Sequence, residues 1–170
     1  MKYFITEILK NENTPFEINE TADFSALISR HHEIRKISPV NVTGTGELSG
    51  EEVVFKLKIK CDIILPCALT LDDVNYHIDV DTTEYFTFKA NAQEEDYDYD
   101  MNIVKGQVIE LAPIVWQNII VNIPLRVVSD NAYEKIQKQG KNWQIVDENS
   151  GNNEDKIDPR FSVLKDLLKK

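Results

Sequence analysis

The stretch Val53–Cys61 constrains the fold more than any other, because its side chains alternate between two chemical classes. Its apolar positions are Val53, Phe55, Leu57, Ile59 and Cys61, and its lysines are Lys56, Lys58 and Lys60. Successive side chains of a β-strand point to opposite faces of the sheet. The pattern therefore predicts a strand with one buried face and one solvated, basic face.

Two neighbouring segments extend this strand into an antiparallel sheet. Val74–Val80 shows the same alternation, with apolar residues at its even positions. Val40–Leu48 is predicted to pair with Val53–Cys61 across a turn at Ser49-Gly50. A sheet of this kind buries one face and exposes the other to solvent.

Shorter elements are predicted around this sheet. Lys2–Leu9 alternates loosely and is predicted to be an opening strand. Asp23–Ile28 predicts a short helix with Thr21 or Asp23 as its cap. A turn at Lys105-Gly106, flanked by valines, predicts a small hairpin.

The segment Leu111–Ile123 is apolar on almost every side, so periodicity leaves both a buried helix and a strand open. Pro113 suits a first helical turn, and Pro124 suits the end of the segment. At the C-terminus, Asp158 and Pro159 predict the start of a helix that continues to residue 170.

These patterns predict an α+β fold in a single domain, built on a mostly antiparallel sheet with a buried helix and a C-terminal helix. We expect a core over residues 1–129, a polar acidic excursion over 130–157, and a helix over 158–170 that packs on the core. A chain of 170 residues buries enough apolar surface to need no disulfide or metal for stability.

The net charge of −10 is concentrated in two segments. Residues 91–110 carry six carboxylates and one lysine, and residues 142–158 carry five carboxylates and one lysine. The rest of the chain is therefore close to neutral, and the global charge does not exclude a local basic surface. No apolar stretch is long enough for a membrane span, and the N-terminus lacks a signal sequence, so we expect a cytoplasmic protein without a membrane partner.

Catalytic and metal-binding patterns are not evident in the sequence. If the strand continues through Pro66, roughly 20 Å separates the sulfurs of Cys61 and Cys67, and the three histidines do not add a ligand pair at zinc spacing. There is no nucleophile elbow and no glycine-rich phosphate loop. We therefore expect two reduced, buried cysteines, no metal, no cofactor, no small-molecule substrate and no enzyme activity. A pocket joining His77 to carboxylates would instead indicate an RNA-cleaving enzyme.

Three groups of cations are candidate contacts for RNA or a partner. Lys56, Lys58 and Lys60 would stand ~6.6 Å apart, a spacing that can follow a phosphate backbone. Cross-strand ion pairs with Asp79 and Asp81 are the stronger alternative for these lysines. The second group is His31, Arg35 and Lys36. The third group is Arg160, Lys165, Lys169 and Lys170. Arg160 lies in the first turn of the predicted helix, where a cation opposes the helix dipole and needs an anionic partner.

An acidic segment is a candidate contact for a basic partner. It contains Glu94, Glu95, Asp96, Asp98 and Asp100, interleaved with Tyr97 and Tyr99. A solvated loop is the stronger alternative for this composition.

Three stretches in order resemble the bacterial YceD family. Leu65–Leu71 followed by Val74–Phe86 is similar to that family's Cys-x-Arg-x-Leu segment and the strand after it. The stretch from Asp98 to Pro124 resembles the family's helix entry and its terminal Leu-Pro. Asp158-Pro159-Arg160 resembles its closing Asp-Pro-Arg helix.

The resemblance implies a part in processing or accumulation of large-subunit (23S) ribosomal RNA, without a known catalytic site. Precursor ribosomal RNA, an assembling particle or a basic ribosomal protein would then be the partner, and an adaptor or chaperone for such a protein is the alternative function. The resemblance also favours the helix within Leu111–Ile123. Leu69 stands where the family usually has arginine, which removes one candidate RNA contact.

Overall fold

The computed structural model describes residues 1–11, 14–30, 33–93, 97, 100–137 and 139–144, and a long antiparallel hairpin lies at its centre. The strands β5 (Glu52–Pro66) and β6 (Asp73–Thr87) pair over their whole length. The apolar face predicted for β5 is buried, and the predicted alternation of both strands is confirmed. Both strands also continue well beyond their predicted ends.

Further strands extend the sheet on both sides of this hairpin. β4 (Val40–Ser49) pairs with β5 across the predicted turn, where Gly50 has a φ of +62°. β2 (Phe16–Ala22) pairs with the outer side of β4, and β3 (Lys36–Ile37) pairs with the far end of β5. β7 (Met101–Ile103) adds to β6 in parallel. The strand order is β2-β4-β5-β6-β7, a mostly antiparallel sheet as predicted.

The remaining elements do not belong to this sheet. They are β1 (Lys2–Phe4), α1 (Ile5–Ile8), β8 (Val108–Glu110), α2 (Ala112–Val121), α3 (Ala132–Lys135), β9 (Gln139–Gly140) and β10 (Trp143–Gln144). The chain divides into two units between Ala132 and Tyr133, and β9 and β10 form a small antiparallel pair within the second. The predicted helix over residues 158–170 lies outside the described residues.

The helix α2 confirms the prediction of a buried helix over Leu111–Ile123. Pro113 stands in its first turn, and Val115 and Ile119 are fully buried. The Asn118 side chain donates a 2.8 Å hydrogen bond to Glu84 Oε1, on the face of β6 that also carries the core residues. This bond fixes the helix on the sheet. Within the described residues, no helix has the length and apolarity to cross a bilayer.

An aromatic cluster joins several strands of the core. The ring of Phe55 is fully buried, and its centroid lies 5.3 Å from that of Phe86, 5.7 Å from that of Tyr3 and 5.9 Å from that of Phe16. Phe16 occupies the space above Gly46, where a Cβ atom would lie 2.2 Å from the ring. Tilted and edge-on ring contacts of this kind add to the stabilisation from burial.

Close approach of the backbones explains a second glycine in β4. A Cβ atom at Gly44 would lie 2.0 Å from the carbonyl oxygen of Lys56 on β5. Any side chain at position 44 therefore requires the two strands to separate.

Two sequence-based predictions about short elements are wrong. The predicted opening strand Lys2–Leu9 is a strand only to Phe4, because Ile5 and Ile8 are both buried at helical spacing in α1. The predicted hairpin around Lys105-Gly106 does not form, since β7 pairs with β6 and β8 pairs with β1.

The predicted helix over Asp23–Ile28 is a 3-10 helix at Ser25–Arg30. Its predicted cap is confirmed, because Asp23 Oδ1 accepts a 2.8 Å hydrogen bond from the Ser25 N–H. This bond also lowers the pKa of Asp23.

We predict that Phe55→Ala lowers the free energy of unfolding by about 3–5 kcal/mol, because it leaves a cavity among three other rings. Val54→Ala is the matched control: Val54 is the next residue of β5 but lies on the partly exposed face. Urea denaturation measures both changes. Equal, small losses of unfolding free energy in the two variants would show that the aromatic cluster does not hold the core together.

Candidate functional site

The solvated side of β5 and β6 collects most of the described candidate cations on one surface, which we call the polar face. Lys56, Lys58 and Lys60 of β5 lie opposite Thr83, Asp81 and Asp79 of β6, respectively. Lys36 is opposite Ile64 of β5, and alternation places it on this same face. The sheet thus brings together two basic groups that are about twenty residues apart in sequence.

Ion pairs engage the three lysines of β5. Lys58 Nζ lies 3.1 Å from Asp81 Oδ2 and 3.3 Å from Asp79 Oδ1, and Lys60 Nζ lies 3.0 Å from Asp79 Oδ2. Lys56 Nζ lies 3.7 Å from a carboxylate oxygen of Glu47. The cross-strand Lys–Asp pairs predicted as the alternative to RNA contacts are therefore present in the free protein.

The charges of this network shift two pKa values. The hydrogen bonds to Asp81 and then Asp79 raise the pKa of Lys58. The hydrogen bond from Lys60, followed by that from Lys58, holds the pKa of Asp79 below its usual range. Lys58 and Asp79 thus favour their charged forms.

The second predicted basic group is partly present on the polar face. The Arg35 guanidinium forms an ion pair with Asp73 at the start of β6. Lys36 is exposed, and the described residues contain no ion pair with it. His31 lies outside the described residues. The Arg35–Asp73 pair was not predicted, because it depends on the register of β3 against β5 and has no local sequence signal.

The remaining predicted contacts are mostly outside the described residues. Arg160 is one of these, as are the acidic residues Glu94, Glu95, Asp96 and Asp98. Asp100 is exposed immediately before β7. A role for any of them stays a prediction.

Cys67 lies in the turn between β5 and β6 and is fully buried. Its Sγ accepts hydrogen bonds from the N–H groups of Ser129, at 3.4 Å, and Leu69, at 3.5 Å. The Thr70 hydroxyl, within reach of both Cys67 and Asp72, and then the Ser129 N–H lower the pKa of Cys67 to about 6. Cys67 is therefore buried, as expected, and its sulfur also links this turn to the segment after α2.

The other groups with catalytic or ligand chemistry are dispersed. Cys61 is a free, buried thiol of the core, and burial raises its pKa to about 11. His77 Nδ1 lies 2.7 Å from Asp62 Oδ1 on the polar face, where both side chains are exposed. Among the residues that the structure describes, no three His, Cys, Asp or Glu side chains are grouped in a way that could hold a metal ion.

Comparison with known proteins identifies the family. The family described as "Large ribosomal RNA subunit accumulation protein YceD" matches residues 55–168, about two thirds of the chain. The chain belongs to the YceD family. It is also 34% identical to the uncharacterized protein YlbN of Bacillus subtilis (strain 168), an alignment that covers 99% of this chain and 97% of that protein. No solved structure matches the chain.

The YceD match begins within β5, and it includes the β5 lysines, all of β6 and the Cys67 turn. Leu69, at the position where the resemblance implies an arginine, is partly buried in that turn. The Leu69 N–H, which any residue except proline would supply, contacts Cys67 Sγ. The hydrogen-bonding role of this position therefore does not depend on its side chain.

We predict that Lys60→Met raises the pKa of Asp79 toward its usual value, because it removes the hydrogen bond that contributes most to the shift. Lys56→Met is the matched control, since Lys56 pairs with Glu47 instead. A carboxyl-carbon NMR titration measures both variants. An unchanged Asp79 pKa in Lys60→Met would contradict this account of the polar face.

We predict that thiolate absorbance at 240 nm develops around pH 6, that Cys67→Ala removes this step, and that Cys61→Ala retains it. Because the folded pKa lies below the usual 9.0, the unfolded chain binds more protons between these values. The free energy of unfolding should then rise from about pH 6 to about pH 9 in the wild type, relative to Cys67→Ala. A first thiolate step above pH 9 would contradict the assignment.

Proposed function

We propose that this chain is a cytoplasmic ribosome-assembly protein that supports processing or accumulation of large-subunit (23S) ribosomal RNA by binding rather than by catalysis. The observation that carries the proposal is membership of the YceD family, whose description names accumulation of the large ribosomal RNA subunit and no reaction. The proposed partner is precursor ribosomal RNA or the assembling particle.

The polar face is the surface we propose for this contact. Its lysine–carboxylate pairs are exposed, with the β5 lysine side chains 40–61% accessible. Exposed ion pairs of this kind stabilise a fold only weakly, so a phosphate can replace the carboxylate at little cost. Lys36 has no ion pair among the described residues, so a phosphate can bind it without replacing a carboxylate. Binding through these side chains would be independent of base sequence and sensitive to salt.

The surroundings of the nucleophilic groups favour binding over catalysis. Cys67 has no exposed surface, so a substrate cannot reach its sulfur without a rearrangement of the turn. His77 has a carboxylate neighbour, but the pair stands on an open sheet face that does not exclude water. General acid–base chemistry needs a substrate held within hydrogen-bond reach of the histidine.

The decisive test combines gene deletion with complementation in the native host. We expect deletion to lower the ratio of large- to small-subunit ribosomal RNA, and the wild-type chain to restore it. The variant Lys36→Ala/Lys56→Ala/Lys60→Ala should restore it less well. Lys10→Ala/Lys89→Ala/Lys105→Ala removes three exposed lysines outside the polar face and should complement fully.

Sedimentation of the tagged protein tests the contact itself. At low salt we expect it to migrate with precursors of the large subunit. Three phosphate contacts predict an affinity loss of roughly 40-fold between about 50 mM and about 200 mM salt. A normal ribosomal RNA ratio after deletion, together with no co-migration at low salt, would refute the proposed function.

A further inference from the structure

The long strand β6 has a strand partner along only one edge for most of its length. β5 pairs with all fifteen residues, whereas β7 pairs only with Tyr85–Thr87. Among the described residues, no strand pairs with the opposite edge of β6 from Asp73 to Glu84. A strand edge of this kind presents unpaired N–H and C=O groups that can template another strand.

The hydrogen bonds at the two ends of the hairpin show which residues direct their backbone groups to that edge. The Phe88 N–H donates to Glu51 O, and the Cys67 N–H donates to Asp72 O, so even-numbered residues of β6 face β5. Odd-numbered residues face outward, as Thr87 O does when it accepts from the Val104 N–H. The outward residues on the open edge are Asn75, His77, Asp79, Asp81 and Thr83, and all five are exposed.

Charge alternates across the polar face from strand to strand. β5 contributes a basic row, and β6 contributes an acidic row that includes Asp79 and Asp81. The Asp81 side chain is 75% accessible and bonds only to Lys58 on its inner side, among the described residues. A cation on an added strand would continue the alternation, because opposite charges on facing strands stabilise a sheet.

The other face of the same edge is apolar. Tyr76 and Val80 are partly buried and pack against the core. The intervening side chains of an added strand would lie beside them, so these positions favour apolar residues.

We propose that the open edge of β6 from Asn75 to Thr83 binds an extended basic segment of a partner protein, which adds to the sheet as a further strand with lysine or arginine at alternate positions. Backbone hydrogen bonds supply affinity in this mode, and the alternate side chains supply specificity. The inference rests on the edge and its charges and does not depend on the proposed role in ribosomal RNA accumulation.

Two other occupants fit the edge less well. A second copy of this chain, paired edge to edge about this segment, would bring Asp79 opposite Asp79 or Asp81, and like charges directly opposite destabilise a sheet. An RNA strand lacks the peptide N–H and C=O groups that would complete the hydrogen-bond ladder of this edge. The chain's net charge of −10 also favours encounter with a cationic partner.

The first test uses the full chain and a capped nine-residue peptide that alternates valine and lysine. We expect the peptide to shift the backbone amide signals of Asn75, His77, Asp79, Asp81 and Thr83 and to slow their hydrogen exchange. A peptide with glutamate in place of lysine should not bind. Two further peptides carry backbone N-methyl groups, one at every lysine and the other at every valine. They distinguish strand addition from charge attraction, because N-methylation removes the N–H donor and keeps the side-chain charge. Only the peptide whose free N–H groups face β6 should bind.

The second test changes the protein. Asp79→Asn/Asp81→Asn removes two cross-strand partners and should weaken binding about 2- to 30-fold. Glu7→Gln/Glu51→Gln makes the same charge change at exposed positions outside the Asn75–Thr83 edge and should bind like the wild type. Circular dichroism checks that both variants fold.

Several results would overturn the inference. Binding of both N-methylated peptides, or equal binding of the glutamate peptide, would show that no strand is added. Shifts confined to other residues would place the peptide elsewhere. Concentration-dependent dimerisation that protects these amides would assign the edge to a second copy, and protection by a single-stranded RNA oligonucleotide would assign it to nucleic acid. None of these results decides whether gene deletion lowers the ratio of large- to small-subunit ribosomal RNA, which tests the proposed function separately.

Discussion

The antiparallel register between β5 and β6 is the constraint on which the rest of the structure depends. It places Phe55, Ile59 and Ile63 beneath the sheet and the three lysines above it. A slip of one residue would exchange these faces and bring ammonium groups into the core, which explains why a single register is specified so strongly. The same pairing leaves the opposite edge of β6 without a described strand partner and aligns the acidic row beside the basic one.

Local chemistry made much of this fold predictable from the sequence. Strict alternation gives β5 and β6, Ser49-Gly50 gives the turn before them, and Pro113 at the start of an apolar run, with the family resemblance, gives α2. The three-residue strands β7 and β8 were beyond prediction, because so short a pattern carries no information about distant partners. The strand prediction at Ile5 and Ile8 was wrong for a related reason. A four-residue helix is about one turn long, so its hydrophobic pattern cannot be distinguished from that of a strand.

The candidate site was predictable to the extent that it depends on alternation within one strand. The lysine row and its pairing with Asp79 and Asp81 follow from face assignment, and the structure contains both. The Arg35–Asp73 pair and the Cys67–Ser129 hydrogen bond depend on long-range geometry, and neither has a local signal. The free polar face is thus held by internal ion pairs, and any RNA that binds there competes with the protein's own carboxylates.

Two glycines of β4 meet different kinds of obstacle, and this difference has a genetic consequence. At Gly46 the obstacle is the side chain of Phe16, whereas at Gly44 it is the carbonyl oxygen of the neighbouring strand. A smaller residue at position 16 can make room for a methyl group at position 46. No side-chain substitution moves a backbone carbonyl that the sheet itself holds in place. Loss of function at Gly46 should therefore be open to second-site suppression, whereas loss at Gly44 should revert only at the glycine codon itself.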